Sequence, residues 1–575
     1  MLLLAIDSLL FFFFTYSLGY FFVEGITKVF GRDLKTGILE YLLLGMMVSF
    51  VYFNLVSFFL PANYLTLIPL ALVAICFLLK KRAILLNDIK KQLLFFSTRY
   101  WPIALLLLAL LFIFWMVPPI NGDSAEYHYL SIKWYEDYKV IPGLANIHGR
   151  FAFNPAAFIV SAAYSFSDIA HQALYPVNGV LFFAFSFWWL KKIISNLNNL
   201  SSLVHLFVFS FVLRQMLADI SSPSSDMLAA ITTIYIIVRL TEDSMGLFSK
   251  DVLVILLSLI SLACKLSVAP VLITVFFYNI SFLKVLSWQK WSILLCLGLI
   301  LYLPWLARNF IMSGYLIYPI QITGFIKPDW QAPKEILALD YTFIHDGPRF
   351  YFDGDYTQLR SLSYFQFLKY WISSHFTLSV GRPINFTVFC LSILSPLYWL
   401  CGFLAKKKIK KKVFFLWCFV YADLLCWWFT SPEYRFGISF QSMSFFIPLI
   451  YFSYKTAINK KIAMLLVVLP LTMLDIYYIT LSIKNYHLKL NSSWILPQKD
   501  FRYFHRNDIA SFPYKIINGE QKIYYADKQH ECINCTGPCL TWNYGEVEMR
   551  GKNIEDGFRL KKNEVRDHYP FIIDP

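Results

Sequence analysis

Asp123, Glu126 and His128 stand close together in the stretch "NGDSAEYHYLSIKWYEDYKVIPGLANIHGRFAFNP" (121–155). Asp123 comes six residues after Val117, the last residue of an apolar run, which puts its carboxylate at the height of lipid headgroups. A carboxylate there could take the proton of an acceptor hydroxyl held beside the anomeric carbon of a lipid-linked sugar. Glu126 and His128 are near enough to share that site. Two carboxylates and one histidine could also hold a divalent metal, although that donor set is a weak metal signature. The plain alternative is a hydrated loop with ordinary charges, in which His128 is a structural hydrogen-bonding residue.

Other charges break the apolar pattern at run ends. In "ADISSPSSDMLAAI" Asp226 opens an apolar run, and Asp219 lies just before it. A carboxylate is favoured at a helix N-terminus by the helix dipole, and Ser224 or Ser225 could cap that end equally well. Lys265 in "ACKLSVAP", Arg308 in "PWLARNFIMSGYLIYP" and Arg435 in "TSPEYRFG" are cations at the ends of runs. If they converge they form an anion site, and arginine suits phosphate oxygens because it can bind two at once. Arg214 and Asp423 lie inside runs, where each needs a partner; Asp219 is a near candidate for Arg214.

The elements that position these residues are membrane spans. The chain has 575 residues, 58% hydrophobic and 19% aromatic, with 15% charged. A soluble chain carries about 25% charged residues, and a disordered one has few aromatics, so both classes are excluded. Apolar runs near the ~20 residues that cross a bilayer recur throughout. They fall at 2–23, 38–60, 65–79, 101–117, 175–190, 203–217 and 227–238, then at 252–264, 266–283, 292–306, 386–404, 413–429, 438–454 and 462–483. These give an all-α polytopic membrane protein of about 14 spans. No basic segment precedes the first run, which therefore reads as a retained helix rather than a cleaved signal.

The net charge of +15 could suggest a nucleic-acid partner. Its densest cluster, "KKKIKKK" at 406–412, lies between two apolar runs and reads instead as a cytoplasmic loop, so no nucleic acid is expected. Alternating the spans to put the Lys- and Arg-rich connections inside leaves both termini external, on the periplasmic side if the chain is bacterial. Three segments are then external: 118–174, 308–385 and 484–575. None is large enough for a pair of nucleotide-sugar-binding Rossmann domains, and none has a phosphate-cradling Gly-rich loop. The expected domains are a transmembrane one, 1–483, and an external one, 484–575. In the latter, "QKIYYAD" and "GEVEMRG" alternate as short strands of a small α+β cap. Its "HECINCTGPCL" offers His530, Cys532, Cys535 and Cys539 as four zinc ligands; one disulfide with a leftover thiol is the other reading, favoured by an oxidising location.

Together, "GDSAEYHYLSIKWYEDYKVIPGLANIHGRFAFNP", "RNFIMSGYLIYP", "SPEYRFG" and "MRGKNIEDGFRL" resemble the GT-C superfamily of integral-membrane glycosyltransferases. More narrowly, they resemble a largely uncharacterised bacterial family of GT-C-like membrane proteins, over 121–559. The resemblance implies a GT-C-like helical bundle in the plasma (inner) membrane. It also implies inverting transfer, on the external face, from a polyprenyl-phosphate sugar to a glycan, lipid or protein acceptor in cell-envelope polysaccharide biosynthesis. Asp123 matches the catalytic acid and takes the role of general base. Arg435 matches the donor-phosphate cation, Arg308 is a softer second match, and Lys265 and His128 are auxiliary. No cofactor is certain. Many members pair two acids where Asp123 is here followed by Ser124, and a divalent metal stays open. The rival classes are a transporter or flippase for a lipid-linked saccharide, which should show internal repeats that this chain lacks, and a non-catalytic subunit of an envelope-glycan complex. Within transferase chemistry, an O-antigen polymerase or ligase would depend on external arginines rather than on Asp123.

Overall fold

The computed structural model describes residues 2–31, 34, 36–94, 100–116, 123–170, 172–217, 219–245, 252–350, 360–376 and 382–454. Beyond these it describes 456–459, parts of 461–480, and 514–517, 521–525, 539–540 and 546–561. The chain is a helical, multi-pass membrane protein with small C-terminal sheets.

A helix coincides with each apolar run from 2–23 to 438–454. The span count is nevertheless lower than expected. Among the described residues, seven helices are long and apolar enough to cross a membrane, or up to eight if one bent pair counts as a single span, against about 14 read from the sequence. The differences have local causes. The run 386–404 is two helices, Arg382–Ile393 and Ser395–Leu404, bent by 47°. Pro396, at the start of the second, lacks the N–H that would continue the first and crowds the carbonyl one turn back. The run 266–283 breaks into a 3₁₀ turn at Leu266–Val268 and helices Ala269–Tyr278 and Ile280–Leu283, with Pro270 at the first helix's start and Asn279 at the second break. Trp101–Met116, Ser201–Leu217 and Val252–Cys264 are apolar but short.

Two helices overrun their apolar runs. Tyr64–Leu94 continues into a Lys- and Leu-rich tail of good helix formers. Trp288–Ser313 ends only at Gly314, whose φ of +81° is the left-handed helix stop. Arg308, expected to open a loop, therefore lies within that helix.

The first two helices, Leu2–Phe30 and Ile38–Val56, pack backbone to backbone. A Cβ on Gly19 would sit 1.8 Å from the Tyr41 carbonyl oxygen, and one on Gly45 equally near that of Thr15. Pro176–Ser195 packs against both, and Ser225–Ser244 and Tyr434–Ser453, which pack on each other, are likewise largely buried.

From Asp123 onward the segment that follows Trp101–Met116 is folded, not a hydrated loop. A π-helical turn, Ser124–His128, leads into Tyr129–Asp137, followed by 3₁₀ turns Leu144–Asn146 and Gly149–Ala152 and the wholly buried Ala156–Ala163. Near the C-terminus Val547–Met549 pairs antiparallel with Phe558–Leu560. Tyr514–Ile517, Gln521–Tyr525 and Cys539–Leu540 form a separate three-stranded sheet. The first of these sheets caps the folded segment: Phe558 N donates to Pro142 O at 2.9 Å, and Lys139 Nζ is 3.0 Å from Glu555.

Candidate functional site

Asp123 stands at the head of the π-helical turn. Such wide turns carry one residue more than an α-helical turn and recur at functional sites. Its Oδ2 accepts a hydrogen bond from Arg435 Nη2 at 2.5 Å, from the first turn of a helix 312 residues away in sequence. Arg435 Nε also lies 3.8 Å from Asp226 Oδ2, and Lys265 Nζ binds the other Asp226 oxygen. On the opposite side Arg150 Nη1 is 3.7 Å from Asp123 Oδ1 and 2.9 Å from Glu126 Oε2. The result is an alternating row: Lys265, Asp226, Arg435, Asp123, Arg150, Glu126.

Local structure explains how each member is held. Ser224 Oγ accepts from Asp226 N at 3.2 Å and caps the Ser225–Ser244 helix, which leaves the Asp226 carboxylate to the cations. Asn178 Nδ2 donates to Ser222 O and Ser224 O, both at 2.7 Å, and the Ser124 and Ser222 hydroxyls are 2.6 Å apart. These bonds lock the "SSPSSD" turn against the π-helical turn. Phe436 supplies a ring beneath two cations, with Lys265 Nζ 3.3 Å and the Arg435 guanidinium 5.0 Å from its centre. Arg150 lies between the rings of Tyr127 and Phe343.

Burial pushes the Asp123 carboxyl up, but Arg435 and Arg150 more than offset it and hold it at about 2. Glu126 goes the other way: burial raises it, and Arg150 recovers only part of the shift. His128 is buried against Phe158, and burial lowers its imidazole to about 4 in spite of Asp123 and Asp226, so the ring is neutral at pH 7. Behind Arg150, Asp340 is buried and raised to about 6, with Tyr318 OH donating to it at 2.5 Å. Gly149 permits that approach, because a Cβ there would be 2.0 Å from Asp340 Oδ2.

Asp123, Glu126, Asp226, Lys265 and Arg435 therefore meet in one row, with His128 buried beside it. Arg308, expected as a second phosphate cation, is set apart. It is 1% exposed and lies 4.0 Å above the Tyr135 ring, because the helix that should have ended before it carries it inward. Arg214 donates to Asn385 Oδ1 at 3.3 Å, and Asp423 accepts from the Thr274 hydroxyl at 3.2 Å. The zinc or disulfide alternatives fall on His530, Cys532 and Cys535, which lie outside the described residues; Cys539 is described only as part of a strand. Among the described residues no three His, Cys, Asp or Glu side chains gather as metal ligands would. Each acid of the row faces a cation instead.

Arg150, Asp340 and Phe436 were not singled out from the sequence. Arg150 had a signal: it is a charge set among "HGRFAFNP", where a solvated residue would be out of place. Asp340 sits in an otherwise ordinary amphipathic helix, Lys334–Phe350, and had none.

Neither a curated protein nor a solved structure matches the chain. A family model described as Domain of unknown function (DUF8201) matches residues 1–442, and the chain belongs to that family.

Proposed function

We propose that the chain is an inverting glycosyltransferase of the external membrane face, moving a sugar from a polyprenyl-phosphate donor to a hydroxyl acceptor. The observation that supports this reading is the contact of Asp123 with Arg435, a carboxylate and a cation of the kind that suits phosphate oxygens, joined at 2.5 Å. Transfer needs both within reach of one anomeric carbon. The acceptor hydroxyl gives its proton to Asp123, its oxygen bonds to the anomeric carbon, and the bond from that carbon to the phosphate oxygen breaks. The polyprenyl phosphate leaves with the electron pair, and Arg435 and Lys265 balance its charge.

The depressed pKa of Asp123 fits this sequence of events. With Arg435 bound to it, the carboxylate is ionised but a poor base. A donor phosphate that takes over Arg435 removes the main charge holding Asp123 down. Burial then lifts it, and it becomes basic only when the donor is in place.

The test is the envelope-glycan profile of cells that lack the gene, complemented with wild type or with Asp123→Asn, and with the purified proteins compared for monodispersity. Wild type should restore a missing sugar. The variant should fold and lose at least about 100-fold in transfer, the lower bound for removal of a general base. Equal restoration by both would sink the reading and bring a transporter or a non-catalytic subunit forward.

A further inference from the structure

The connection between helices Ser395–Leu404 and Lys411–Thr430 brings five exposed lysines together: Lys406, Lys407, Lys408, Lys410 and Lys411. Its backbone is held at several points. Lys406 adopts a φ of +51°, its N–H donates to Phe403 O at 2.9 Å, and that of Lys407 donates to Gly402 O at 3.0 Å, the paired bonds that stop a helix. Tyr451, near the end of Tyr434–Ser453, donates its hydroxyl to Lys408 O at 2.9 Å and accepts from Lys410 N at 3.0 Å. The lysines therefore project from a short connection pinned to a largely buried helix.

Their ammonium groups divide into two sets. Lys407 Nζ lies 5.3 Å from the centre of the Phe452 ring, and Lys410 Nζ donates to Met245 O at 2.9 Å. Those of Lys406, Lys408 and Lys411 have no hydrogen bond, ion pair or ring contact among the described residues. The acid on the neighbouring helix, Asp243, is taken by Lys412 and by the Tyr278 hydroxyl. Like charges fixed close together repel one another, and an anion from outside the chain relieves that cost.

The surface beside the lysines fits a lipid. Phe403 and Leu404 end one helix, Phe415 stands one turn after Lys411 on the other, and all three are exposed. In a multi-pass membrane protein exposed apolar residues meet acyl chains, and cations just beyond them meet headgroups. A soluble acidic partner would engage the lysines and leave the apolar residues uncovered.

We propose that this connection and the apolar residues beside it bind an anionic glycerophospholipid of the adjoining leaflet. Its phosphate lies among Lys406, Lys408 and Lys411, and its acyl chains run along Leu404 and Phe415. Because the backbone is already fixed, binding costs little ordering, which favours a saturable site over diffuse attraction. None of these residues belongs to the ion-pair row, so the inference stands or falls apart from the transfer reading.

The test is thermal unfolding of the purified, delipidated full chain in a non-ionic detergent, titrated with phosphatidylglycerol, phosphatidylcholine, glycerol 3-phosphate or polyglutamate. A first triple variant, Lys406→Gln with Lys408→Gln and Lys411→Gln, removes exposed side chains that make no contact, so its Tm without lipid should match that of wild type. A second, Lys327→Gln with Lys334→Gln and Lys552→Gln, removes the same charge from exposed positions elsewhere. Phosphatidylglycerol should raise Tm saturably in wild type and in the second variant, with half-saturation at least tenfold weaker in the first. The proposal is overturned if phosphatidylglycerol has no such effect, if phosphatidylcholine or glycerol 3-phosphate acts equally well, or if the two triple variants respond alike. An equal response to polyglutamate overturns it too, and makes the surface a dock for an acidic macromolecule.

Discussion

Arg150 is the residue on which the folded segment after the fourth helix depends. Its side chain is 4% exposed and lies between Glu126 and Asp123. Removing one member of a buried ion pair costs about 3 to 5 kcal/mol, because the partner's charge stays buried alone. Arg150→Met should therefore lower Tm severely, and adding Glu126→Gln should restore a large part of the loss; a double variant no better than the single would show that Glu126 is not the stranded charge. Asp340, behind Arg150, gives a pH signature. Burial raises it to about 6, against Arg150 and Tyr318, which lower it, and with Glu126, which raises it. A group raised on folding contributes stability that is complete below its unfolded value near 4 and lost as pH rises through 6. Wild type should lose about 2 to 3 kcal/mol relative to Asp340→Asn between pH 4 and pH 7.5, read as the difference in Tm. Asp123, held at about 2, acts oppositely, with stability present above pH 4 and lost as pH falls toward 2. Parallel Tm profiles for wild type and Asp340→Asn would remove Asp340 from this account. These residues also mark the limit of sequence reading at this scale. The types and membrane-boundary positions of Asp123, Asp226, Lys265 and Arg435 are visible along the chain, but their pairing joins four distant segments and depends on tertiary packing. Arg308 was misplaced because one helix runs two turns past its apolar part.

At the scale of elements, hydropathy located the helices well and their lengths and breaks poorly. Apolar runs from 2–23 to 438–454 each coincide with a helix, since burying backbone polar groups in lipid leaves no other choice. Averaging over a window hides a single proline, however, so 386–404 reads as one span although Pro396 bends it by 47°. It also stops at charge, where Tyr64–Leu94 continues because Lys and Leu are good helix formers. The close packing of the first two helices was equally hidden, because it rests on two glycines rather than on apolarity. Small residues let membrane helices approach at the backbone. Gly19→Val and Gly45→Val should each force the pair apart and destabilise by about 3 kcal/mol or more. Gly25, on the same first helix, has open space within 4 Å of where a methyl group would stand, and Gly25→Ala should be neutral or stabilise by about 0.5 to 1 kcal/mol. Thermal unfolding of the three variants in one detergent checks the contrast. Equal losses would mean that the first helix tolerates no change at all, and would remove the glycine contact as the cause.

For the whole molecule, the question is what joins the C-terminal sheet to the membrane part, and Asn146 is the node. Its Nδ2 donates to Gly143 O at 3.1 Å, Trp330 O at 3.0 Å and Phe558 O at 3.2 Å, which ties the folded segment, the loop after Gly314 and the sheet together. Arg550 adds a two-point bridge to Asp329, at 2.8 and 3.0 Å. The two devices differ in worth. Asp329 is 46% exposed, and solvent screening keeps such bridges near about 0 to 1 kcal/mol. Asn146 is fully buried, so its loss leaves carbonyl oxygens unsatisfied at about 1 to 3 kcal/mol. Amide hydrogen exchange separates them. In Asn146→Leu, exchange at Val547–Met549 and Phe558–Leu560 should rise at least tenfold while Pro176–Ser195 keeps its protection, because only the docking of the sheet has been loosened. Arg550→Ala should change exchange by no more than about fivefold. The reverse order would mean that exposed charge, rather than the buried amide, holds the sheet over the folded segment that carries Asp123 and Arg150, and ionic strength would then control access to that segment.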